Sequence, residues 1–145
     1  MAWKLYTDSA CTTEFSGTLQ LVHRTDLTDN PQDTQLWYAE VEDDTGDNQV
    51  YQQQAESDPG VDPVVLSIVD AAVGSGHEAS EITLATTSGA LGTNTAGASL
   101  DLGATLLSGV SAAQPIHIRV ENAVTTVGTS TELSVDIVAT VDSEV

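Results

Sequence analysis

The sequence predicts an all-β fold, a β-sandwich of jelly-roll or immunoglobulin-like type built from eight or nine short antiparallel strands. Three observations predict it. Apolar and polar residues alternate at period two from one end of the chain to the other, whereas helical spacing is hard to find. Turn formers punctuate these runs at Asp29-Asn30-Pro31, Asp43 to Asn48, Ser57-Asp58-Pro59-Gly60 and Gly74-Ser75-Gly76. Many short strands with turns at this density are the pattern of sandwiches and barrels.

In chain order, a short edge strand is expected around Lys4 to Tyr6. Thr18 to His23, Thr34 to Val41, Gln49 to Gln53 and Val64 to Val69 are the next candidates. Ile82 and Leu84 alternate, as do Leu100, Leu102, Ala104 and Leu106, which read as one run. Ile116-His117-Ile118-Arg119-Val120-Glu121 alternates strictly, with His117 on the polar side. The last strand is the clearest: Leu133, Val135, Ile137, Ala139 and Val141 share one face, and Ser134, Asp136 and Thr140 the other. Ala71 to Ala113 is rich in Gly, Ala, Ser and Thr. Within it, Gly89 to Gly97 has little to bury and is expected to form a long loop, either one that orders only against a neighbouring subunit or an exposed flexible one with no task.

A chain of 145 residues fits a single domain, 1–145, able to bury about 70% of its unfolded surface. Aromatics supply only 4% of it, so the core must come from Val, Leu, Ile and Ala. No apolar run approaches the roughly 18 residues of a membrane span, and the start does not resemble a secretory signal. Cys11 stands alone and forms no internal disulfide.

Charge carries the most information. Twenty-two acids against three bases, Lys4, Arg24 and Arg119, leave a net charge of −19. The acids are spread between β-like runs, which argues against a disordered tail. Self-repulsion of this size opposes compaction in dilute buffer. At 1 M salt the screening length falls to about 3 Å and the penalty largely disappears. An acidic, Lys-poor surface is therefore read as adaptation to brine, the rivals being an acidic surface meant for a basic partner and a DNA mimic. Three cations cannot form the footprint of a nucleic-acid-binding surface.

Candidates for chemistry are few. Gly76-His77-Glu78-Ala79-Ser80-Glu81 begins like the zinc-protease motif, but the position four residues after His77 is Glu81 instead of a second His. Nucleophile elbow, P-loop and dinucleotide fingerprint are absent, and the expectation is a chain with no catalytic residues and no organic cofactor. Oxygen-rich loops suit Ca²⁺ or Mg²⁺. Asp43, Asp44, Asp47 and Asn48 are the best such cluster; Asp26, Asp29 and Asp33 are a second. Neither has EF-hand spacing, and solvated acids are the ordinary alternative. In Trp37-Tyr38 one ring should face the core and the other solvent, where it packs, meets a subunit or stacks on a sugar.

Lys4 to Thr13, followed by Phe15 to Leu19, resembles the start of small virion proteins of tailed viruses. Ser57 to Asp62 and Gly74 to Glu81 add to the resemblance. With the acidic bias, the chain resembles a structural protein of a haloarchaeal tailed virus. The resemblance covers about the first two-thirds of the chain. It implies a β-rich capsid decoration or turret subunit, a trimer or pentamer docked on the major capsid protein or other virion proteins. Such a protein is made in the host cytoplasm and ends in the virion. No site residues carry over. A tail or fibre component, or a cell-surface adhesion or carbohydrate-binding module, is the alternative.

Overall fold

Backbone hydrogen bonding organises the chain into strands and little else. A computed structural model describes all residues, 1–145, and contains ten strands, all paired antiparallel. These are β1 (Lys4–Tyr6), β2 (Gln32–Ala39), β3 (Tyr51–Ala55), β4 (Val65–Asp70), β5 (Ile82–Ala85), β6 (Leu100–Asp101), β7 (Leu106–Leu107), β8 (Gln114–Val120), β9 (Leu133–Ile137) and β10 (Thr140–Glu144). The only helical pieces are three short 3₁₀ turns.

One layer is the sheet β1-β2-β8-β5. Alternation sets its faces: Leu36 opposes Ile116 and Leu84 opposes Ile118, all pointing inward. Gln35, His117, Asp33 and Arg119 point outward, and Arg119 grips Asp33 across the strands with bonds of 2.8 and 2.9 Å. The opposite layer comprises the ladders β10-β3-β7 and β6-β4-β9. Their registers run on from one to the next: Ala55 faces Thr140 and Leu66 faces Ile137, while Gln53 faces Leu106 and Leu66 faces Leu100. The two ladders therefore form one bent three-stranded layer, with residues 56–64 as an insertion at the bend.

The core lies between the layers. Leu36, Tyr38, Ile82, Leu84, Ile116 and Ile118 meet Val64, Leu66, Leu100, Leu102 and Leu106. Trp3 lies against Tyr38 at 5.6 Å between ring centroids. Tyr38 reaches through the core to donate a hydrogen bond to Gln53 Oε1 (2.8 Å), and burial pushes its phenol up to about 12. A small second cluster of Tyr6, Cys11 and Ala39 sits on the outer face beside Trp37. The fold is an all-β, sandwich-like arrangement of four strands on three.

Four details of the expected pattern are corrected. Thr18 to His23 forms no strand, because the free side of β1 is already taken: Phe15 N–H donates to Leu5 O (2.8 Å) and Thr7 N–H to Thr13 O (2.9 Å). Leu100 to Leu106 is interrupted at Gly103, whose φ of +119° ends β6 before β7 begins. Its carbonyl nevertheless accepts Val64 N–H (2.8 Å), so Leu100, Leu102 and Leu106 still reach the core. The last run divides at Val138-Ala139, and the side-chain phase slips there. Leu133, Val135 and Ile137 pack on the core, but Ala139 and Val141 fall on the outer side. Finally, Gly89 to Gly97 is not a free loop. Its 3₁₀ turn buries Leu91, Asn94 Nδ2 donates to Leu84 O (2.9 Å), and Gly97 N–H donates to Ile82 O (2.7 Å). The segment covers the open edge of β5.

Candidate functional site

The four expected ion ligands lie in one loop between β2 and β3, but the three carboxylates turn to different partners. Asp44 is the centre of the loop. Its carboxylate accepts the N–H groups of Asn48 (2.9 Å), Gln49 (2.7 Å) and Val50 (3.3 Å), and the Ser108 hydroxyl (2.6 Å). The Ser108 bond first, and the backbone donors after it, hold this carboxyl below the usual carboxylate range. Asp43 pairs with the Met1 amino group at 2.7 Å. Asp47 Oδ1 accepts Ser111 N–H and Oγ–H, both at 3.0 Å. No group of three His, Cys, Asp or Glu side chains is arranged to share an ion. The second acidic group is likewise divided: Asp26 holds Thr28 and Arg24, Asp29 holds the Arg24 N–H, and Asp33 holds Arg119.

Two anchors of this loop carry no sequence signal beyond their residue type. Glu40 is wholly buried; one carboxylate oxygen accepts Asp43 N–H (2.8 Å) and the other Ala2 N–H. Its carbonyl accepts Gly109 N–H (2.8 Å). Gly109 has φ +98° and lies against Asp47, where any Cβ would collide.

The His77 corner is a second polar hub. Glu81 is 5% exposed and takes His77 Nδ1 (3.0 Å), Ala123 N–H (2.8 Å) and Glu78 N–H (2.6 Å). Burial pulls this carboxyl up, but the backbone donors and His77 outweigh it and hold it below the usual range. Glu132 accepts His77 N–H, and a depression of about 160 Å³ opens beside it, lined by Val124, Thr126 and Thr129. The acceptor positions of Glu81 are used to fasten residues 121–123 to the 3₁₀ turn at Ala79–Glu81. As with Asp44, these bonds tie separate stretches of backbone together.

Trp37 is half-buried on its own chain's second cluster, with Tyr38 in the core. His23 encloses both ring nitrogens without a partner.

The features left facing outward belong to the three-stranded layer. On its outer face Gln52, Gln54, Thr105, Leu107, Val141 and Ser143 form an acid-free patch. Gln52 Nε2 donates to Ser143 Oγ (3.1 Å) and Gln54 Nε2 to Thr105 Oγ1 (2.9 Å), and Glu56 borders the patch. At the bend a shallow depression of about 470 Å³ is lined by Ala55, Val65, Val138 and Ala139, with Glu56 and Asp62 beside them. Along the side, β9 pairs only with β4 and β10 only with β3. Sequence reasoning missed the patch because it depends on the phase slip at Val138-Ala139. The adjacent apolar residues Ile137 and Val138 were the available signal.

No protein-family model matches the chain, and no curated protein or solved structure matches it.

Proposed function

We propose that this chain is a virion structural protein, a capsid decoration or turret subunit of a tailed virus with a halophilic host. It acts through contacts with its own copies, as a trimer or pentamer, and with the major capsid protein or other virion proteins. The observation that carries the assembly part of this reading is the acid-free patch. In a chain of net charge −19, Gln52, Gln54, Leu107, Val141 and Ser143 offer neighbouring outward side chains without a carboxylate. Like-charged copies can approach there once salt screens the rest of the surface.

The virion assignment itself rests on the resemblance of the Lys4 to Leu19 stretch together with the acidity. The carbohydrate-binding alternative is weaker, because Trp37 is half-covered by its own chain.

The test is mass spectrometry of purified tailed-virus particles from a halophilic host, with copy number per particle. A copy number matching occupation of symmetry axes on the shell supports the reading. Absence from the particles overturns it.

A further inference from the structure

Every sheet has two edges, and a folded chain must do something with each. In the four-stranded layer both are covered: residues 7–15 fold back on β1, and residues 89–97 cover β5. In the three-stranded layer the β6 and β7 edge consists of two two-residue pieces. The β9 and β10 edge runs from Leu133 to Glu144, broken only at the bend, and pairs with nothing on its far side.

The register identifies the free groups. Val145 N–H donates to Val50 O (2.9 Å) and Glu56 N–H to Ala139 O (3.0 Å). In an antiparallel ladder the residues that exchange bonds alternate with those that do not. The backbones of Ala139, Val141, Ser143 and Val145 therefore face β3, and those of Thr140, Asp142 and Glu144 face away. By the same logic Val138 N–H donates to Val65 O (2.9 Å), which leaves Leu133, Val135 and Ile137 facing away from β4.

Charge decides what can pair there. Asp142 and Glu144 are exposed and share one face of β10; Asp142 Oδ1 accepts Gln53 Nε2 (3.1 Å), which leaves Oδ2 and the Glu144 carboxylate open. Where salt does not screen them, a second copy added edge to edge would bring these carboxylates against its own, and like charges across a strand pair are destabilising. Another copy has little countercharge to offer: Lys4 already lies against Glu14 and Glu42 and Arg119 against Asp33, which leaves Arg24, in a long exposed contact with Asp26, as the one accessible cationic side chain. We propose that the β9–β10 edge receives an extended cationic segment of a different protein. That segment adds as an antiparallel strand, with Lys or Arg at alternate positions opposite Asp142 and Glu144. The backbone ladder supplies the docking and the i, i+2 spacing of positive charge supplies the selectivity. This inference uses only the edge and its charges. It stands or falls separately from the virion assignment.

The probe is an end-blocked octapeptide alternating Lys with Val, titrated into the ¹⁵N-labelled full chain at the lowest salt concentration at which near-UV dichroism shows it folded, where charge is least screened. Two comparison peptides replace every Lys by Glu, or keep the composition as a Lys block followed by a Val block. The expected result is shifts centred on the Thr140, Asp142 and Glu144 amides, and binding about tenfold weaker for the block peptide. Asp142→Pro removes an outward N–H that β3 does not use, together with the carboxylate that accepts Gln53 Nε2 (3.1 Å), so it should fold with reduced stability and lose about tenfold in affinity. Glu144→Pro repeats the test nearer the terminus. Ser143→Pro, whose N–H faces β3, should instead destabilise the fold. Four outcomes would each overturn the proposal. They are shifts spread evenly over remote acids such as Asp58 and Asp70, equal binding of the Glu peptide, unaltered affinity in both outward-facing proline variants, and peptide-free self-association that protects the Thr140, Asp142 and Glu144 N–H groups themselves from hydrogen exchange.

Discussion

Leu91→Ala tests whether the 89–97 segment belongs to the fold. Leu91 is 4% exposed in a 3₁₀ turn lying over β5 and β8, so truncation removes a buried side chain and leaves a cavity. Such substitutions cost about 2–5 kcal/mol. A surface turn can partly collapse into the space, which places the expectation near the lower end, about 2–3 kcal/mol. For a chain of this length 1 kcal/mol corresponds to roughly 3–5 °C, so Tm should fall by about 10 °C. The assay is thermal unfolding by circular dichroism in 3 M KCl, with Val127→Ala, at 95% exposure, as a control that should leave Tm nearly unchanged. Hydrogen exchange gives a second readout, because Gly97 N–H donates to Ile82 O and should be protected in the wild type. A Leu91→Ala Tm within about 2 °C of wild type, with Gly97 exchanging like an open chain, would refute the reasoning and restore the free loop.

Three further outcomes follow from the same geometry. Tyr38→Phe leaves Gln53 Oε1 without its donor in the core and should cost about 1–2 kcal/mol, read from the urea midpoint; an unchanged midpoint would contradict a buried, bonded hydroxyl. Asp44 and Glu81 are both held below the usual carboxyl range in the folded chain. Their contribution is therefore complete above the unfolded carboxyl pKa, about 4, and is lost as pH falls through the lower folded values. The urea midpoint should drop below pH 4 and Glu81→Gln should flatten that drop, whereas an identical pH profile in the variant would count against the hub. The third concerns brine: Tm should rise by many degrees between 0.1 M and 3 M KCl, and equal values would remove the halophile argument.

Alternation was legible wherever one face meets the core. Leu36, Tyr38, Ile116, Ile118, Ile82 and Leu84 fall on the inward side, as their spacing implies. The same signal misled at Thr18 to His23, because a strand also needs a free edge and Phe15 occupies the one on β1. It misled again past Val138, where a slip of one position exchanges the faces of the remaining strand. Gly89 to Gly97 looked structureless because a loop that covers an edge works through backbone and Asn94 hydrogen bonds, with Leu91 its only buried residue. Among the candidate ion ligands, adjacency in sequence was legible but direction was not. Asp43, Asp44 and Asp47 diverge because Met1, Ser108 and Ser111 draw them apart, and those partners lie far away in the chain.

The central claim, an assembly subunit that meets its copies through the acid-free patch, is tested most directly by mass in solution. Light scattering should be measured in 3 M and 0.2 M KCl on the wild type and on Gln54→Glu/Ser143→Asp, which places two carboxylates on the patch without touching the core. The account predicts three or five times 15.1 kDa for the wild type at high salt, dissociation at low salt, and a monomeric variant at both. A wild type that stays monomeric in 3 M KCl, or a variant that assembles as well as the wild type, would contradict it.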